Sequence, residues 1–406
     1  MGQRKRAHHD TESVTLGYDA LRHLGSLKPP IYETSTFVFS SAAEGKAFFE
    51  KAYGDAAGEG EAGYIYSRLD FPNLAPVEAR LAAWEDAEDA VMFGSGMGAI
   101  STLFLTLLRP GDLVVYSLPA YGGTVTLLTG LLPEFGVVTR AFRADATSDD
   151  LESLVGGDRL TMVYVETPAN PTNELIDLQM AADLAARHDA LLVVDNTFLS
   201  PVWQKPIAHG ADLTLHSATK FLGGHSDLTA GAVCGRSDLI ARLKHTRYEI
   251  GTTPSPSTAW LLGRSLETLR MRVERQTSNA TQIAAHLAGH DKVRSVHHLS
   301  LLEPGDPRFE IYKRQCEGPG AMISFEIDGG EEESFRFLDA MEVIRLATSL
   351  GGTESLASHP WTMSPPSVPE VEKRAIGVTP GLIRLSVGVE DPFDLIADLD
   401  QALASI

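Results

Sequence analysis

The sequence predicts an α/β protein: a mostly parallel sheet flanked by helices, with an N-terminal arm before it and a smaller C-terminal α+β domain after it. Three observations predict this. Short apolar runs, at 90–93, 113–116, 162–165 and 191–194, alternate with helical stretches, the order that builds parallel sheets. Several of these runs end in glycine or polar residues, the pattern of strand ends that face a ligand. After Gly-Thr-Thr-Pro-Ser-Pro at 251–256 the alternation gives way to a long helical stretch and a mixed remainder.

Residues 1–65 mix prolines with β-branched and aromatic residues, as in Lys-Pro-Pro-Ile-Tyr-Glu-Thr at 28–34, and read as an extended arm. The small, acidic, glycine-rich stretch 54–63 reads as a loop. A helix follows with Pro76 in its first turn and Val77, Leu81 and Trp84 on one face. The run at 90–93 leads into Gly-Ser-Gly-Met-Gly at 94–98, which opens a helix reaching about Leu108. Strands are predicted at 113–116, near Val137, at 162–165 and at 191–194, and a helix at 179–187. Residues 257–287 read as one bridging helix, followed by strands at 321–327 and 382–389 among helices. The domain division is therefore 1–65 for the arm, 66–256 for the large domain, and 257–406 for the bridging helix and C-terminal domain.

A chain of 406 residues exceeds one small core, so two domains are expected. Its balance of 34 Lys and Arg against 54 Asp and Glu disfavours nucleic acid and anionic membranes, both of which bind basic patches. Cys234 and Cys316 form no Cys-x-x-Cys pair, and the 13 histidines show no metal-binding spacing, so no metal is assigned. The basic start is not followed by an apolar run, and no stretch is long enough to span a membrane, so a cytoplasmic location is expected.

The chemistry concentrates at strand ends. Lys220 follows an apolar strand (Leu213, Leu215), with the hydroxyls of Ser217 and Thr219 before it. A desolvated lysine is a free amine able to form a Schiff base, and neighbouring hydroxyls suit a phosphate. Asp195 ends the run at 191–194. An aspartate to hold a ring nitrogen and a lysine to hold an aldehyde are what pyridoxal phosphate requires. The glycines at 94–98 open a helix whose N-terminus can cradle an anion. A dinucleotide site or mere tight packing are the alternatives, although the third glycine comes one residue early and the next strand lacks an acid for a ribose. Tyr121 follows the strand at 113–116, where it would stack on a cofactor or sit half-buried as structure. Asn170, between two prolines, could donate to a ring hydroxyl. Arg384 projects from the strand at 382–389 opposite its apolar neighbours, suited to a substrate carboxylate or a structural ion pair.

On these residues the chain resembles the Cys/Met-metabolism family of fold-type I PLP-dependent enzymes. The family includes cystathionine γ-synthases, cystathionine and methionine γ-lyases and O-acetylhomoserine sulfhydrylases. The resemblance runs from about Lys28 to the C-terminus. It is carried by Ser-Ala-Thr-Lys at 217–220 with Gly-His-Ser-Asp-Leu-Thr-Ala-Gly at 224–231, by Glu-Thr-Pro-Ala-Asn-Pro at 166–171, and by Ser-Leu-Gly-Gly-Thr-Glu-Ser-Leu at 349–356. It implies pyridoxal 5'-phosphate as cofactor, Lys220 as Schiff-base lysine and proton shuttle, and Asp195 as partner of the pyridine nitrogen. Gly96, Met97, Ser217 and Thr219 would hold the phosphate, and Tyr121 would stack on the ring and assist the leaving group. Asn170 would lie near the ring hydroxyl, and Ser349 and Arg384 would hold the substrate carboxylate. Tyr66 and Arg68 would reach the cofactor of a neighbouring subunit in a homotetramer built as a dimer of dimers.

The implied reaction is γ-elimination on a sulfur-containing or other γ-substituted amino acid, giving a 2-oxo acid and ammonia. γ-Replacement and cystathionine γ-lyase activity are the alternatives. Four departures bear on the substrate. Thr348 stands where cystathionine-handling enzymes usually carry Glu. Gly123 stands where methionine γ-lyases usually carry Cys, and Arg247-Tyr248 where they carry Lys-Asp. Arg68 is followed by Leu-Asp-Phe-Pro-Asn rather than closely by Asn-Pro-Thr.

Overall fold

A computed structural model of the chain describes residues 7–53, 63–364 and 369–406. Seven strands form the larger sheet: β1 (Asp89–Phe93), β2 (Leu113–Leu118), β3 (Val138–Arg143), β4 (Leu160–Glu166), β5 (Leu191–Asp195), β6 (Leu213–His216) and β7 (Gly231–Gly235). Their order is β1-β7-β6-β5-β4-β2-β3. β6, β5, β4, β2 and β3 pair in parallel, while β7 is antiparallel to both neighbours, which leaves β1 pointing the same way as the parallel set.

Alternate residues explain why both faces are covered. Val114, Tyr116, Tyr164 and Val193 pack against the helices Gly96–Leu107 and Ser237–Ile250. Leu113, Val115, Val163, Val165, Leu192 and Val194 pack on the other face against Leu151 and Val155 and against the helix Leu178–Arg187. Strands buried on both faces read as continuous apolar runs, which is why they were legible.

The second sheet contains β8 (Val293–His297), β9 (Met322–Ile327), β10 (Arg345–Leu346), β11 (Leu356–Ser358) and β12 (Leu382–Ser386), in the order β10-β11-β12-β9-β8. Ile323, Phe325, Ile383 and Leu385 join Leu262, Leu266, Val273 and Ile283 in one core that ties the second sheet to the long helices.

Three expectations are corrected. The arm is not extended throughout, since His9–Thr15 and Ala42–Tyr53 are helical. The second of these is rich in Ala, Glu and Lys, and the Glu44 N–H donates to the Ser41 hydroxyl at 3.1 Å, so local propensity and a cap outweigh the absence of an apolar period. The bridging stretch 257–287 is two helices, Pro256–Leu266 and Leu269–Ala288, and the break turns the Glu267 carboxylate onto Lys28 and Arg80. The strand at 382–389 stops at Ser386. The stretch 54–62 of the expected acidic loop lies outside the described residues.

One side chain fixes the turn after β6. Arg272, on the helix Leu269–Ala288, is buried. It donates to the carbonyls of Phe221 (2.9 Å), Leu222 (3.3 Å) and Ser265 (2.9 Å). Burial pushes its pKa down to about 10. Arg272→Ala strands these carbonyls, and urea unfolding of the cofactor-free protein is expected to register a loss of about 2–4 kcal/mol. A loss near zero would mean that water replaces the guanidinium.

Candidate active site

The carboxyl ends of β1, β2, β4, β5 and β6 open onto one cavity of about 280 Å³, the place where open α/β sheets hold ligands. Gly96, Met97, Tyr121, Asn170, Asp195, Ser217, Thr219, Lys220 and Arg384 all line it. Ser349 joins them through its hydroxyl, which accepts from Lys220 Nζ at 3.1 Å. Tyr66 and Arg68 lie elsewhere: the Arg68 guanidinium sits over the Tyr66 ring, 5.7 Å from its centroid, and donates to the Tyr248 carbonyl.

One end of the cavity is built for an anion. The helix Gly96–Leu107 begins there, capped by Ser95, whose hydroxyl accepts from the Gly98 N–H at 2.9 Å. A Cβ on Gly96 would lie 3.0 Å from both Cβ and Oγ of Ser217, so the two turns approach as closely as glycine permits. The Thr219 hydroxyl is tied to Ala230, donating to its carbonyl at 3.2 Å and accepting from its N–H at 3.0 Å.

A second wall is acidic. Asp195 accepts from the Thr197 N–H (3.1 Å) and hydroxyl (2.6 Å) and from the Tyr164 hydroxyl (3.4 Å). Thr197 in turn accepts from the Ser217 N–H at 2.9 Å, linking the ends of β5 and β6. Burial raises the pKa of Asp195, opposed by the Thr197 hydrogen bonds and by the nearby His216, itself paired with buried Glu85. Beside Asp195, in register on the adjacent strand, stands Glu166. Its pKa is pushed up to about 8 by burial first and by Asp195 second.

Two basic side chains, Lys220 and Arg384, line the same cavity. Burial, and then Arg384, lowers the pKa of Lys220. Arg384 donates to Asn170 Oδ1 at 2.9 Å and to the carbonyls of Thr348 and Ser349 at 2.7 and 3.3 Å. It has no carboxylate partner among these bonds, its Nε has no hydrogen-bond partner among the described residues, and burial takes its pKa down to about 10. A buried, unneutralised guanidinium aimed into a cavity is a receptor for an anion.

A profile described as Cys/Met metabolism PLP-dependent enzyme matches residues 10–404. The chain belongs to this family. An L-methionine γ-lyase of Pseudomonas deceptionensis is 42% identical over 98% of this chain and 97% of its own. A cystathionine γ-lyase of Bacillus subtilis is 37% identical over 94% and 95%. The crystal structure of a cystathionine γ-synthase from Xanthomonas oryzae pv. oryzae, in complex with aminoacrylate and cysteine, superposes with a TM-score of 0.89 at 35% identity, covering 99% of both chains.

The residues present fit the cofactor of the Cys/Met-metabolism family. A close glycine cradle at a helix N-terminus suits a phosphate, a buried carboxylate suits a protonated ring nitrogen, and a desolvated amine suits an aldehyde. The substrate-related departures fall in three different settings. Thr348 lines the cavity. Gly123 lies beneath Tyr121, where an added Cβ would sit 2.7 Å from the ring and 2.8 Å from Met97 Sδ. Arg247 is buried in an ion pair with Glu78 (2.6 Å) and is not part of the cavity lining.

Sequence reasoning gave no role to Glu166 or Thr197. The signal for Glu166 was available in part, as an acid ending an apolar strand, but its pairing with Asp195 depends on strand register. Ionisation of Glu166 at about pH 4.5 when unfolded and about 8 when folded means that folding stability falls as pH rises through this window. The melting-temperature advantage of cofactor-free wild type over Glu166→Gln is therefore expected to shrink from pH 5 to pH 8. A difference that does not change with pH would show that Glu166 is ionised throughout.

Proposed function

We propose that the protein catalyses γ-elimination on a methionine-like or other sulfur-containing γ-substituted amino acid, releasing a 2-oxo acid and ammonia. The observation that carries the reading is the charge of the cavity lining. Its acidic side chains are Glu166 and Asp195, both buried in the strand-end wall and already engaged. Thr348 stands where the distal ammonium of cystathionine would call for a carboxylate. An uncharged thioether suits this lining better, and the 42% identity to an L-methionine γ-lyase supports the same choice. γ-Replacement on an activated homoserine ester is the second reading, favoured by the structural likeness to a cystathionine γ-synthase.

Pyridoxal 5'-phosphate, when bound, supplies an electron sink for the charge left at Cα. In the proposed division of labour, Gly96, Met97, Ser217 and Thr219 hold its phosphate, Asp195 holds the proton on its ring nitrogen, and Asn170 lies near its hydroxyl. Lys220 would anchor it, and its amine would carry the Cα proton. A lowered lysine pKa serves that step, because a neutral amine is the base. Arg384 and Ser349 grip the substrate carboxylate. Tyr121 stacks on the ring and delivers a proton toward the departing group.

The same reading assigns 1–65 to an arm contributing to the neighbouring subunit, 66–256 to the cofactor domain and 257–406 to the bridging and C-terminal part. Leu21, Leu24, Leu27 and Val38 of the arm are almost fully exposed, which supports burial against a second copy. Tyr66 and Arg68, away from this chain's own cavity, then serve the neighbour's, in a homotetramer made of two such dimers. A cytoplasmic location completes the reading. No helix among the described residues is long and apolar enough to cross a membrane, and no group of three His, Cys, Asp or Glu among them is placed for a metal ion.

With the cofactor supplied, methionine alone is expected to yield keto acid and a thiol, and Lys220→Ala to lose both this activity and the cofactor's visible absorption band. Keto acid or product appearing only when a thiol is added would replace elimination by γ-replacement. Arg384→Ala is expected to raise KM for the amino acid by about 100-fold, the scale of a lost charge-assisted pair, while the visible band persists. Loss of the band in that variant would make Arg384 structural.

A further inference from the structure

We propose that Glu166 is a positioning residue that locks the ring-stacking tyrosine and the carboxylate-binding arginine to one another, so that one side chain sets both halves of the site. The inference rests on the roles proposed above for Tyr121 and Arg384. It starts from the connectivity of two loops. Tyr121 follows β2 and Asn170 follows β4, and each has its backbone N–H on a different oxygen of the same carboxyl group. Oε2 accepts from Tyr121 at 2.7 Å and Oε1 from Asn170 at 3.0 Å. Asn170 passes the constraint on, its Oδ1 accepting from Arg384 at 2.9 Å. The Glu166 N–H donates to the Ser117 hydroxyl at 3.0 Å, a second tie between the ends of β2 and β4.

The chemistry explains why a carboxyl group stands here despite its cost. Glu166 is buried and in register with a second buried acid, Asp195, so the position penalises charge twice. An amide of the same length would be cheaper to bury, but it offers one acceptor oxygen and would point its NH2 at the other backbone N–H. A carboxyl group presents an acceptor oxygen to each donor, and even when protonated its hydroxyl oxygen keeps a lone pair for an N–H. Packing alone asks for no such pair. The two loops do, because neither amide has a β-ladder partner where the strands have ended.

Glu166→Gln tests this. The variant is expected to leave at least one of the Tyr121 and Asn170 amides open to exchange in the cofactor-free protein, read at single-residue resolution by hydrogen–deuterium exchange. It is also expected to weaken pyridoxal 5'-phosphate binding by about tenfold and to raise KM for methionine by about tenfold, the scale of one lost hydrogen bond to a buried group. A purely structural role would lower the melting temperature and leave the last two unchanged. Wild-type affinity for cofactor and wild-type KM in a folded variant would overturn the proposal, as would a change in only one of them. If the variant does not fold, wild type still decides. Protection of both amides in the cofactor-free protein supports the lock, and exchange of either at the rate of an exposed loop defeats it. Failure of wild type to bind the cofactor would instead overturn the functional reading, and the amide measurement is independent of that outcome.

Discussion

The site depends on parallel strand register at a buried edge. β4 and β5 end level with one another, so Glu166 and Asp195 emerge side by side, both buried. Burial raises the pKa of both, and for Glu166 the neighbouring Asp195 adds to the rise. The surrounding groups offset this cost in part. The Thr197 hydroxyl and N–H, His216 and the Tyr164 hydroxyl surround Asp195, while two backbone N–H groups occupy Glu166. A cation beside Asp195, such as a protonated ring nitrogen, would favour its ionised form.

On the basic side chains of the same cavity the same physics acts with the opposite sign. Lys220 and Arg384 are both partly stripped of water, and Arg384 further disfavours the charge on Lys220. Lysine yields its proton under such pressure more readily than arginine does. This asymmetry suits the proposed roles, a neutral amine as nucleophile and base and a persistent cation as carboxylate receptor. The turn that carries the lysine is clamped from both sides. Arg272 holds its carbonyls, and Gly351, at φ +77°, lies so close that a Cβ there would be 2.6 Å from the Phe221 nitrogen.

Much of the larger sheet was legible because its strands are buried on both faces and therefore read as unbroken apolar runs. β7 was not, since Gly-Ala-Val-Cys-Gly at 231–235 is short and bounded by glycines. The helix Ala42–Tyr53 was missed for the opposite reason: it forms from propensity and capping, without a clear apolar stripe to betray it. The break at Glu267 and Thr268 was also hidden, because helical periodicity continues across it while the chain bends to place Glu267 against Lys28 and Arg80.

The sequence by itself determined the family and the cofactor class, and it singled out nine of the residues that line the cavity. These follow from residue types at strand ends and from motifs only a few residues long, which local order preserves. Tertiary structure decided which of those residues act on one another. Glu166 meets Asp195 only through strand register, Arg384 meets Asn170 across 214 positions, and Arg247 turns inward to Glu78 instead of lining the cavity. Such pairings are set by how the chain closes on itself, and no local pattern records them.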